Sequence, residues 1–230
     1  SALPSPSGWP LRPCAWAKWV SLRGTPHTRT TKPMNRTLAI HTPHGQLYGH
    51  LDLPEPALGL IILARAHHAP ADAAIAEKLT EHGYAVLTME LLSSQEAHFV
   101  DATQNVPKLT QRLLEILDLI RRDGDMQNLP LGIFSIGDAT PAVIRAAAQR
   151  DTQVKVLASH GGLIDHAGLQ ALKALTAPLL MVVDSEDGVA DAANRRAASY
   201  LLCAHETHLL SIGEDPLLAV TTWFSRHFSG

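Results

Sequence analysis

The sequence predicts an α/β protein, a three-layer α/β/α sandwich on a mostly parallel sheet. Three observations carry this. From Leu58 onward, short apolar runs of strand length alternate with stretches of helix length, the mark of repeated strand–helix units. Several of those runs are apolar throughout, as a strand covered on both faces requires. Ahead of them, two stretches in "RTLAIHTPHGQLYGHLDLP" meet at Thr42-Pro43-His44-Gly45, which reads as an antiparallel hairpin.

The elements follow in order. "LGLIILA" is the first fully covered strand, and "ADAAIAEKLTEHG" is a helix that stops at Gly83. "YAVLTMELL" is the next strand. "VPKLTQRLLEILDLIRR" spaces Val106, Leu109, Leu113, Ile116, Leu117 and Ile120 along one helical face and closes at Asp123-Gly124. "LPLGIFSI" is a strand that leads into a helix near Thr140-Pro141, and "VKVLAS" is a strand followed by the helix "DHAGLQALKAL". "APLLMVVD" is a strand followed by the helix "VADAANRRAASYLLCA", which would place Cys203 late on a helix as a core residue. "THLLSI" and "DPLLAVTTWFSRHF" complete the series as strand and helix.

Residues 1–33 stand apart. They are rich in Pro, Ser, Thr and Arg, without periodicity, and cannot bury enough apolar surface to offset their ordering entropy. We expect a disordered or non-native extension there, with a targeting peptide as the competing reading, and a single domain over 34–230. The extension carries Arg12, Lys18, Arg23, Arg29 and Lys32 and no acid, while the remainder has 14 basic against 22 acidic residues. So acidic a body offers no electrostatic reason to bind nucleic acid. No apolar run reaches the roughly 18 residues that span a bilayer, so no membrane partner is expected. Cys14 and Cys203 make no disulfide framework, which favours a reducing compartment, the cytoplasm by default.

In sheets of this kind ligands sit at the carboxyl ends of the strands. The loops there offer Arg65, His67 and His68; then Glu90; then Ser135, Gly137 and Asp138; then Ser159 and His160; then Asp184, Glu186 and Asp187. The segments "GLIILARAHH", "GYAVLTMELLSSQEA", "NLPLGIFSIGDATPAVIRAAA", "VKVLASHGGLIDHAG" and "APLLMVVDSEDGVADAANRRA", in this order, resemble the small dienelactone-hydrolase-like members of the α/β-hydrolase superfamily. The resemblance covers roughly residues 59–196. It implies the α/β-hydrolase fold without a large cap domain, and hydrolysis of small esters or lactones without a cofactor. It also implies a mechanism in four parts: a nucleophile at a strained strand-to-helix elbow, an acid after a later strand, a histidine after the last strand, and backbone N–H groups for the oxyanion.

Each part meets this sequence differently. The elbow pattern of small residue, any residue, nucleophile, any residue, small residue falls on "SIGDA", with Gly137 where the nucleophile belongs. Ser135 would take that role only in a register flanked by the bulky Ile133. Asp138 reads most simply as a cap on the following helix. Asp187 lies where the resemblance places the acid, although Asp184 and Asp187 are equally turn formers. The loop after the last strand is only "IGEDP" and holds no histidine; His208, within that strand, is the remaining candidate. Arg65 is an anion-binding candidate, His67 and His68 are possible bases, and Asp138, Ser159 and His160 complete a set of possible binding residues. Imidazoles there could converge with Glu90, Asp184 or Asp187 on a metal, but no ligand spacing is present in sequence, and no metal is expected. The glycines of "SHGG" are expected for backbone reasons. Two readings therefore compete: a degenerate member that binds a small-molecule ligand, and an active hydrolase that works through an atypical residue such as Ser135. Positive φ and open space are expected at Gly137.

Overall fold

A computed structural model describes residues 34–42 and 45–229. The expectations for residues 1–33 and for the Pro43-His44 turn lie outside the described residues.

Among the described residues, eight strands form one sheet: β1 (Met34–Thr42), β2 (Gly45–Leu53), β3 (Leu60–Arg65), β4 (Ala85–Glu90), β5 (Leu131–Ile136), β6 (Val154–His160), β7 (Leu179–Asp184) and β8 (His205–Leu210). Their order is β1-β2-β4-β3-β5-β6-β7-β8. β1 pairs antiparallel with β2 in the register Met34↔Leu53 to Thr42↔Gly45, and β2 pairs antiparallel with β4. Every later pairing is parallel. The helices are α1 (Ala71–Glu81), α2 (Val106–Arg122), α3 (Thr140–Gln149), α4 (Leu169–Ala174), α5 (Gly188–Ala198) and α6 (Pro216–Phe228).

Two apolar clusters sandwich the sheet. One joins the sheet to α2 through Leu109, Leu113 and Ile116, to α3 through Val143 and Ala147, and to α4 and α5 through Leu172 and Ala197. The other lies under α1 and α6 and includes Leu79, Val220, Trp223 and Phe224. β5 is buried along its whole length, which explains why its sequence shows no polar alternation. Trp223 donates its indole N–H to the Leu157 carbonyl at 2.9 Å, seating α6 on the sheet.

The ends of the elements follow local chemistry. α1 closes with Tyr84 N–H on the Leu79 carbonyl and Gly83 N–H on the Thr80 carbonyl, with Gly83 at φ +87. This is the doubly bonded left-handed stop that glycine permits. Asn105 caps α2 by accepting from the Lys108 N–H at 3.2 Å, with Pro107 in the first turn. Two expectations need correction. The segment from Asp165 splits into a 3₁₀ turn, Ile164–Ala167, and the short α4, because Gly168 at φ +87 breaks the helical path. α5 ends at Ala198, so Cys203 sits in the turn before β8 and not on a helix. Its half-buried thiol still packs on the core, and burial raises its pKa.

The chain steps from β3 to β4 on one side and returns across to β5 on the other. α1 and α3, which leave β3 and β5, lie on opposite faces of the sheet. A crevice opens at such a switch point, at the carboxyl ends of the two strands.

Candidate functional site

The crevice is a shallow cleft of about 340 Å³, with Arg65, His67 and His68 on one side and Ile136, Gly137 and Asp138 on the other. β5 ends at Ile136, and the backbone turns sharply at Gly137, φ +62. One 3₁₀ turn, Gly137–Ala139, leads into α3, whose first turn contains Pro141. A Cβ built on Gly137 would meet no heavy atom within 4 Å. The tip therefore has the left-handed backbone and the space expected of it, and no side chain. Asp138 is exposed and makes no side-chain capping bond to α3. The capping role expected of it is not what the helix uses.

The elbow is braced from β6. The loop after that strand passes so close that a Cβ on Gly162 would stand 2.2 Å from the Gly137 carbonyl oxygen. Thr140 adds a hydroxyl bond to the Gly161 carbonyl at 3.3 Å. The glycines of "SHGG" thus serve the backbone, as expected: both have positive φ, and Gly162 also permits the close approach.

Neither serine reaches the cleft. Ser135 is 1% exposed and hydrogen-bonds with the Thr140 hydroxyl (3.2 Å) and the Ala158 carbonyl (3.4 Å). Alternation along β5 turns its side chain toward α3, behind the elbow. Ser159 is equally buried and donates to the Leu180 carbonyl at 3.3 Å. Both hydroxyls serve the sheet.

The loop after β3 is organised by a residue that was not singled out in the sequence. Asp72, 1% exposed at the start of α1, accepts from Arg65 Nε at 2.8 Å and from the Ala69 N–H at 2.9 Å. Its second oxygen lies 3.6 Å from His68 Nδ1, and Glu90 lies 3.9 Å from the same nitrogen. Arg65 is therefore held in place by a buried carboxylate, with His68 exposed above it. The signal was available: an Asp in the first helical turn can reach back to the N–H groups that open the helix.

The acid and base positions separate. Asp187 is where the resemblance put the acid, but its carboxylate accepts from the Ala190 N–H at 2.9 Å and caps α5. His208 points toward α6, and its Nε2 is 2.7 Å from Glu214. It does not converge on the elbow, because β8 lies three strands from β5 in the sheet and Glu214 holds the ring beside α6. A different pair forms at the strand ends: His160 Nε2 lies 3.2 Å from one oxygen of Asp184 and 3.4 Å from the other. His67 and His68 stand at β3 and His160 at β6. Among the described residues, no group of three or more His, Cys, Asp or Glu side chains comes close enough together to hold a metal ion.

The far wall of the elbow is the segment between β4 and α2. Its 3₁₀ turn Ala102–Gln104 packs beside Gly137–Ala139. A buried ion cluster fastens this segment to α2. Glu96 receives two 2.6 Å bonds from Arg112 and a contact from Lys108, and Arg112 also donates to the Leu91 carbonyl. Burial pushes the Glu96 carboxyl up, but the Arg112, Lys108 and Ser93 hydrogen bonds outweigh it and hold the group well below the usual carboxylate range.

This architecture is shared with known proteins. The chain superposes on a dienelactone hydrolase from Anabaena variabilis with a TM-score of 0.74 and 27% identity, over 86% of this chain and 97% of that one. The chain has the α/β-hydrolase fold, in its dienelactone-hydrolase-like form. Est1E from Butyrivibrio proteoclasticus shares the fold at 13% identity (TM-score 0.68, 84% of this chain and 99% of that one). A cold-adapted esterase from an Arctic intertidal metagenomic library does so at 12% (TM-score 0.66, 86% and 96%). In sequence, this hydrolase-fold chain is 30% identical over 196 residues to a Mycobacterium tuberculosis protein named "Putative phosphoribosyl transferase", with 79% of the chain aligned. The chain spans only 44% of that relative's length. No family model matches. Among the described residues, no helix is long and apolar enough to cross a membrane.

Proposed function

We propose that this chain is a catalytically degenerate dienelactone-hydrolase-like protein that acts by binding a small molecule in the cleft between the ends of β3 and β5. One observation carries the reading: the elbow tip is Gly137, at φ +62 and with open space above it. Glycine accepts the backbone of that turn but supplies no atom to attack an acyl carbon. The candidate hydroxyl, Ser135, is buried and committed to Thr140 and Ala158, which takes support from an active hydrolase built on it. The transferase name belongs to a protein more than twice the matched length and is not carried over.

The test is a pair of assays on purified protein. The expected result is no turnover of p-nitrophenyl acetate above the rate of the heat-denatured chain and no labelling by a fluorophosphonate probe. A thermal-shift screen should instead return small ligands whose stabilisation is lost on Arg65→Ala. Labelling or turnover that disappears with Ser135→Ala would overturn the degenerate reading.

A further inference from the structure

We infer that His160 and Asp184 form a proton-accepting dyad that serves the Gly137 tip, displaced to strands β6 and β7, so that the chain lacks a nucleophile and not a base. The inference rests on the reading of Gly137 as an emptied nucleophile position. A histidine and a carboxylate at exposed strand ends are, by themselves, an ordinary surface pair that adds little to stability. Placement makes this pair different.

His160 is the registered neighbour of Ile136, the residue immediately before the tip, and adjacent strands lie about 4.8 Å apart. Val156 and Ala158 of β6, Leu180 and Val182 of β7 and Ile136 of β5 all pack on the α6 face. Alternation puts His160 and Asp184 on that same face, so imidazole and carboxylate lie in the layer that Ile136 enters just before the elbow. The loop that follows His160 is the one pressed against the elbow through Gly162 and Thr140, which fixes the backbone beyond His160 relative to the tip. The His160 side chain is 23% exposed and Asp184 60%: the ring is packed yet reachable from solvent. With Nε2 turned to Asp184, Nδ1 is the nitrogen left to take a proton, and the carboxylate holds the tautomer that makes this possible.

A hydroxyl placed on the tip would then find its base. For a fluorophosphonate the step is balanced: the side-chain oxygen bonds to phosphorus, its proton passes to His160 Nδ1, the P–F bond breaks and fluoride leaves. The experiment restores that hydroxyl with Gly137→Ser in the full chain, and circular dichroism confirms the fold. The wild type should stay unlabelled and the Gly137→Ser chain should label. Adding His160→Ala should slow labelling about 100-fold, the low end of what a positioned base contributes. Imidazole in the buffer should restore part of the loss, which a merely structural role for His160 would not allow. Adding Asp184→Asn instead should slow labelling about 10-fold.

A folded Gly137→Ser chain that does not label, or labels as fast without His160, overturns the inference. Labelling of the wild type would overturn the degenerate reading itself, so the two failures are distinguishable. If Gly137→Ser does not fold, diethyl pyrocarbonate modification of the wild type decides. His160 should be carbethoxylated readily and more slowly after Asp184→Asn; an inert His160, or one indifferent to Asp184, overturns the dyad.

Discussion

The α-carbon of Gly162 is packed against the backbone of Gly137, so closely that a Cβ on Gly162 would stand 2.2 Å from the Gly137 carbonyl oxygen. The elbow after β5 and the loop after β6 are built on each other through main chain. Gly162→Ala should therefore cost about 3 kcal/mol, a left-handed penalty of about 1–2 plus displacement of the elbow. Gly161, at φ +68 but with no atom within 4 Å of an added Cβ, should lose only about 1 kcal/mol as Gly161→Ala. Urea unfolding of both variants checks this; equal losses would refute the close-packing account.

Asp72 holds the other wall of the cleft. Asp72→Ala strands the Ala69 N–H and leaves the Arg65 guanidinium without its carboxylate. A loss of about 2–4 kcal/mol is expected, with faster amide hydrogen exchange in the first turn of α1. A loss under about 0.5 kcal/mol would show that Arg65 is not anchored from below.

Asp187 and Asp184 should part company. Asp187→Ala removes the cap of α5 and should destabilise the chain by about 1 kcal/mol. Asp184→Ala, at an exposed strand end, should change stability by less than about 0.5 kcal/mol. In the Gly137→Ser background the ranking should reverse for fluorophosphonate labelling. Thermal unfolding and labelling rates on the same preparations test both halves.

Glu96 predicts acid sensitivity of the segment beside the elbow. Its carboxyl is held well below its ordinary value of about 4.5 by Arg112 and Lys108. A group whose pKa is lowered by folding stabilises the native state above the unfolded-state value, and that contribution is lost as pH falls toward the folded-state value. Stability should therefore decline as pH drops below about 5, and Glu96→Gln should flatten that decline while lowering stability at pH 7 by about 2–3 kcal/mol. Denaturation curves from pH 7 to pH 3 give the comparison. Parallel pH dependences in wild type and variant would sink this assignment.

Much of the molecule was legible in the sequence, because local patterns carried it. The apolar runs from Leu60 and Leu131 and the one-sided spacing of Leu109, Leu113 and Ile116 correspond to elements that exist. Gly137 could be placed at the elbow tip for the same reason: a strand, a small residue and a helix start are neighbours in the chain. Two boundaries were misread, at Gly168 and after Ala198, where apolar composition continues but the backbone turns.

What the sequence determined by itself was the order of strands and helices and the missing side chain at position 137. Only the tertiary structure decided which polar groups meet. Ser135 faces the interior and His208 faces α6, because a strand's pleat and its place in the sheet set the direction of each side chain. Arg65 is tied to Asp72, and His160 to Asp184, 24 residues away in sequence. Parallel register between β6 and β7 makes neighbours of residues that no local pattern connects. The glycine at position 137 could be read along the chain; the pairing of His160 with Asp184 depended on how the strands align.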